Sequence, residues 1–233
     1  MSGFGASNDY FGLAEPGVWE LQSSSLTPEN SSSQVQNEYG DVTAETEYEK
    51  TSAAECTYRL VGVGVNGEIA LPDNFKAGFV NTVGSDQFFI TGGSLNTSNT
   101  ERPLLTVSGE LLHGDGTSLR LYDFAAAVGS IKARKVATPI GFTLGANTLL
   151  NSCSASFSSE TARALAADGS IAVKDNYNAR VEVTGDMVSA TAVAEAAAAE
   201  GWTLPRAAGR SEENTAHPTG SVTVYKNIAA TEA

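Results

Sequence analysis

Along residues 41–50 apolar and polar positions alternate. Asp41, Thr43, Glu45, Glu47 and Glu49 fall on one parity and Val42, Ala44, Thr46 and Tyr48 on the other. A period of two predicts a strand with its carboxylates on one face and Val42, Ala44 and Tyr48 turned to a core. The alternation resumes over 55–61, where Cys56, Tyr58 and Leu60 oppose Glu55, Thr57 and Arg59, and the two runs are expected to pair as an antiparallel hairpin. Further strands are predicted over 18–22, 87–91, 104–112, 118–124, 152–158, 180–184 and 220–226, a spacing that suits a sandwich or barrel. Between Ala162 and Val173, Asp168-Gly169 flanked by Leu165, Ala167, Ile171 and Val173 predicts another hairpin, with helical turns over 159–167 as the alternative. The one predicted helix is the alanine-rich stretch 190–200, with Ser189 placed to cap it and Gly201 to end it.

The remaining stretches lack periodicity. Residues 1–15 read as an arm whose aromatic residues, Phe4, Tyr10 and Phe11, are expected to dock on a neighbouring subunit. The Ser-, Asn- and Gln-rich stretch 23–37 reads as a long loop and 205–218 as an irregular segment. Both are expected to order only in an assembly, because neither buries enough apolar surface to offset its ordering entropy. The fold class expected is therefore mainly β: a β-sandwich or barrel with one flanking α-helix, extended arms and loops, and a single domain over 16–233.

Charge narrows the partners. Lys and Arg number 14 against 27 Asp and Glu, a net −13, which disfavours contact with a phosphate backbone. Residues 1–56 hold ten of the carboxylates against Lys50 alone, so this segment contributes −9. The cluster Lys132, Arg134 and Lys135 reads as a solvated strand edge or loop. Cys56 and Cys153 lie on apolar parities and read as buried thiols. The start, MSGFGASNDYF, has neither a basic nor an apolar leader region, and no run of 18 apolar residues occurs, so neither a signal peptide nor a membrane span is expected. The sequons at Asn30 and Asn96 are expected in exposed loops.

No catalytic constellation emerges, and the chain is read as a non-enzyme without cofactor or metal. Gly62, Gly64 and Gly67 fit the spacing G-x-G-x-x-G, but Glu-Ile-Ala-Leu-Pro follows instead of a helix, and Asn66-Gly67 is a turn signal. His113 and His217 both adjoin turn residues and read as exposed loop positions. Nucleophile elbow, HExxH, P-loop and paired CxxC are all missing. Trp19, Trp202, Tyr10 and Tyr225 offer sugar platforms for a carbohydrate-binding or adhesin module as an alternative.

From Phe88 the chain reads FFITGGSLNTSNTERPLLTVSGELLHG, and NSCSASFSSE later leads through an Ala-Asp-Gly-Ser turn to ARVEVTGDMV. Residues 88–113 and 150–187 together resemble virion structural proteins of tailed bacteriophages, and are most similar to the tail-tube-like group. The resemblance implies a homo-oligomer, commonly hexameric, whose rings stack into a conduit for DNA, with itself and other virion proteins as partners and the virion as its location. In that setting the acidic face of Asp41, Glu45, Glu47 and Glu49 is expected to line the lumen. A capsid decoration or other head protein is the alternative structural role.

Overall fold

Cross-strand pairing more than burial sets the architecture. The computed structural model describes residues 8–36, 38–39, 41–64, 67–112, 120–165, 171–189, 196–204, 209–211 and 218–232, and is mainly β, with 65% strand and one short helix. The first half comprises β1 (Trp19–Gln36), β2 (Val42–Leu60), β3 (Glu68–Ala70), β4 (Lys76–Ala77), β5 (Val80–Val83), β6 (Asp86–Ser98) and β7 (Leu104–Leu112). After β8 (Arg120–Asp123) come α1 (Phe124–Val128), β9 (Ser130–Lys132), β10 (Phe142–Leu144), β11 (Thr148–Leu165) and β12 (Ile171–Ser189). The chain closes with β13 (Ala196–Ala198), β14 (Gly209–Ser211), β15 (Thr219–Asn227) and β16 (Thr231–Glu232).

One large antiparallel sheet runs in the order β1-β2-β7-β6-β11-β12-β15-β14, with β5 also on β6. It is not closed, so a sandwich or barrel is not established by the single chain. Alternation sends Ala54, Cys56, Tyr58 and Leu60 of β2, Leu105 and Val107 of β7, and Val181 and Val183 of β12 into one apolar cluster. The same cluster takes in Phe75 just before β4, and Tyr122, Phe124, Ile131 and Phe142 from the short strands and α1. At its centre Phe75, Phe124 and Phe157 pack with ring centroids 4.9–5.3 Å apart. Asp123 caps α1 by accepting from the Ala126 N–H at 2.8 Å, and the chain leaves the helix through Gly129 at φ 74°.

Several expectations hold. The 104–112 strand is β7, and the hairpin read at 162–173 is the distal part of the β11–β12 pair, in which Arg163 opposes Lys174. Cys56 and Cys153 are buried free thiols, and burial pushes the Cys153 thiol up to about 12. They sit on β2 and β11 with β7 and β6 between, so the strands are about 14 Å apart at ~4.8 Å per step, too far for a disulfide. Gly64 accepts from the Gly67 N–H at 3.0 Å, and a Cβ at Gly64 would overlap the Glu68 carbonyl. These glycines serve a tight reversal, as the sequence pattern implies.

Others are corrected. The stretch 23–37 is not a long loop: it is strand through Gln36, paired residue by residue with β2 from Ser23↔Thr57 to Gln36↔Val42. Serine, asparagine and glutamine there are held by main-chain hydrogen bonds, which composition does not reveal. The runs 41–50 and 55–61 are accordingly one strand and do not pair with each other. The predicted helix 190–200 also fails where it is described. Ala196–Ala198 pair with Phe142–Leu144 as a strand, with residues 190–195 outside the described part. Helix propensity of well under 1 kcal/mol per residue is outweighed by pairing with β10 in a separate two-stranded sheet and by packing of Ala196 and Ala198 against the apolar cluster. Within 205–218, residues 209–211 form β14 against β15, and the rest up to 217 lies outside the described residues. Asn30 and Asn96 lie in β1 and β6, not in loops.

Candidate assembly surface

Two features of the large sheet stand out: a ribbon that leaves it and a hairpin that folds across it. The ribbon comes from β1 and β2. Strand β7 pairs with β2 only from Ser52 to Arg59, so among the described residues positions 42–51 of β2 are paired with β1 alone. At ~3.3 Å per residue that is about 30 Å of two-stranded ribbon beyond the sheet. One extra residue of β2 sits between Tyr48 and Thr51, opposite Glu29 to Ser31, so the alternation of 42–48 is not continuous with that of 52–60. Val42 is 49% exposed and Ala44 is exposed, which corrects the expectation that they face the core: the described pairing of β2 with β7 ends at Ser52↔Leu111. Val35 and Tyr39 are also exposed, the latter at 81%.

The acidic positions singled out from sequence lie on this ribbon. Asp41 is exposed beside the turn, and Glu45, Glu47 and Glu49 lie on its β2 strand, with side chains outside the described residues. Residues 28–51 carry six carboxylates against Lys50. An isolated two-stranded ribbon has little stability of its own in water.

The N-terminal segment is placed differently from expectation. Phe4 lies outside the described residues, but Tyr10 and Phe11 dock on their own chain. Tyr10 packs on Phe88 at 4.7 Å, and Phe11 is fully buried in the slot that Gly109 leaves open, where any Cβ would strike its ring. Asp9 locks the segment. Its carboxylate accepts from the Gly12 and Ala14 N–H groups at 2.9 and 2.8 Å and from the Tyr58 hydroxyl at 2.5 Å. Burial and the adjacent Asp9 carboxylate raise the Tyr58 pKa, so the phenol stays a donor. Asp9→Ala leaves that hydroxyl without its acceptor and is expected to cost about 1.5–3 kcal/mol, with Tyr58→Phe costing less because no buried donor is stranded. Urea midpoints of the two variants check the order.

The second feature was not visible in the sequence. β11 tracks β6 only as far as Ser158↔Gly92, and from there to Asp86 the edge of β6 is taken by β5. A register shift between Ser158 and Glu160 marks the departure of the β11–β12 hairpin, which crosses the face bearing Phe89 and Glu110. Lys174, fully buried, lies 4.7 Å from the Phe89 ring centroid and donates to Glu110 at 2.5 Å. Arg163 donates to both Glu110 oxygens at 3.0 and 2.9 Å. Burial pulls the Lys174 pKa below its ordinary value, against the opposing pull of Glu110.

The aromatic residues considered as sugar platforms are dispersed. Trp19 is fully buried, with its indole donating to Ala70 O at 3.3 Å. Trp202 packs against Gly141 and Tyr225 stacks under Arg180 at 4.1 Å. Lys132, Arg134 and Lys135 are exposed, as read. His113 and His217 lie outside the described residues. Among the described residues no helix is long and apolar enough to cross a membrane. No family model matches the chain, and no curated protein is significantly similar to it.

Proposed function

We propose that the chain is a self-assembling virion structural protein, a tail-tube subunit whose copies form stacked, hexameric rings around a DNA conduit. The observation that carries this reading is the ribbon: about 30 Å of acidic two-stranded β-hairpin that runs on past the last described pairing of β2 with β7. Such an element gains stability only against other copies. The resemblance of residues 88–113 and 150–187 supplies the tube. In this reading the closure into a barrel or sandwich that the strand spacing suggests is reached between subunits, where the open edges at β1 and β14 meet neighbours. Glu45, Glu47 and Glu49 line the lumen, where their charge keeps DNA from adhering.

Negative-stain electron microscopy with sedimentation of the full chain over a wide concentration range tests the reading. Rings or tubes that grow with concentration are the expected result. Trimers or compact single particles would point to a capsid-surface role, and a monomer at every concentration would end the proposal.

A further inference from the structure

Arg59, Arg102 and Lys135 converge on a cleft of about 290 Å³ lined also by Thr100, Glu101 and Leu104. Three cations against one carboxylate make this recess net positive on a chain of net charge −13. Among the described residues none of the three cations forms an ion pair. Arg102 donates to the Leu60 and Val61 carbonyls at 3.4 and 2.7 Å, which fixes it in the wall, while Arg59 is exposed on β2 and Lys135 on the loop after β9. Glu20 is the cross-strand neighbour of Arg59 but makes no salt bridge with it.

The position of the cleft matters as much as its charge. Strand β2 begins at the ribbon turn and ends at Leu60, so its 19 residues hold the turn and the cleft at opposite ends, about 60 Å apart. The turn presents exposed Glu38, Tyr39 and Asp41. One end of the subunit thus carries two exposed acidic residues and an exposed aromatic one, and the other a cationic recess with Leu104 for apolar contact and guanidinium groups for ring stacking.

Resting on the self-assembly reading, we propose that the turn Glu38–Asp41 of one copy seats in the Arg59/Arg102/Lys135 cleft of the next. The contact is head-to-tail. A heterologous interface of this kind propagates from subunit to subunit and generates closed rings or open stacks according to the rotation between copies. It leaves Glu45, Glu47 and Glu49, further along the ribbon, outside the cleft.

Two full-chain variants test it: Arg59→Glu with Lys135→Glu, and Glu38→Lys with Asp41→Lys. Arg102 is kept because it holds the backbone, and circular dichroism with thermal melting confirms that each variant folds. Each variant alone meets its own kind with like charges, so its self-association is expected to fall at least tenfold below wild type. An equimolar mixture restores opposite charges at both ends and is expected to assemble as alternating copies, with wild-type assembly weakening as salt is raised. If wild type assembles and either variant alone does so equally well, or the mixture stays apart, the pairing is wrong and the self-assembly reading stands. Wild type that never associates overturns both. Should the glutamate variant not fold, Arg59→Gln with Lys135→Gln is the substitute, expected to weaken assembly in the same direction.

Discussion

Glu110→Ala is expected to cost about 3–5 kcal/mol of stability. The reason lies in the geometry of the hairpin crossing. Lys174 has no exposed side-chain surface, and Glu110 is its carboxylate partner as well as that of Arg163. Removing the carboxylate leaves a sealed ammonium beside a guanidinium and over the Phe89 ring, which offsets little of the charge. Lys174→Met removes the charge instead of stranding it, and methionine fills the same channel over Phe89. That variant is expected to be neutral to about 1–4 kcal/mol more stable than wild type. Denaturant midpoints of the two variants should therefore move in different directions or by very different amounts, and equal losses would mean that the Glu110 carboxylate does not sustain the buried Lys174 charge.

Proton linkage supplies a second readout of the same site. The Lys174 pKa is lowered in the fold from 10.5, so between the lowered value and 10.5 the unfolded chain binds more protons than the native one. Stability at this site rises with pH across that window, because a charge that is costly to bury in the native state is given up. Below the lowered pKa the penalty is present in full. The wild-type curve minus that of Lys174→Met isolates the effect: the difference should narrow as pH climbs toward 10.5. A difference that widens would mean that the Glu110 pairing outweighs burial.

The unequal legibility of this fold has a physical origin. Alternation made β7 plain because its inward positions, Leu105 and Val107, are buried and its pairing partners lie on both sides. It made β2 plain as strand but not its partner, since the Ser, Asn and Gln of β1 carry no apolar signal and the information resides in backbone hydrogen bonds to residues far along the chain. Ala196–Ala198 misled for the converse reason, a strong local preference being overridden by pairing with Phe142–Leu144 and by packing against the apolar cluster. Phe11 reads as a spare aromatic until Gly109, almost a hundred residues on, is seen to leave it a slot. The Lys174–Glu110–Arg163 cluster had no signal at all: in a strand pattern a lysine and a glutamate read as solvent positions, and only the departure of β11 from β6 brings them together and seals them.

The other large effect concerns the ribbon. Residues 29–51 replaced by an Asn-Gly turn joining Pro28 to Ser52 are expected to yield a chain that folds and does not assemble. These strands contribute nothing to the apolar cluster, whose first β2 member is Ala54, and the junction residues Pro28 and Ser52 already face each other across the pair. A two-residue Asn-Gly loop suits that spacing. Thermal unfolding of the shortened chain should stay within a few degrees of wild type, while sedimentation shows a monomer where wild type forms large species. Glu45→Lys, Glu47→Lys and Glu49→Lys together probe a different property of the same element, because they keep the ribbon and its turn and reverse only the wall charge. That chain is expected to form tubes, since Glu38 and Asp41 are unchanged, but its lumen would bind phosphates instead of repelling them. DNA carries one charge per about 1.7 Å of duplex, so retention should be strong at low salt and relieved as salt is raised. Particles built with this variant should eject DNA slowly or not at all. Normal ejection from such particles would refute a lumenal wall of Glu45, Glu47 and Glu49, and assembly undiminished by loss of the ribbon would refute a role for residues 29–51 in joining subunits.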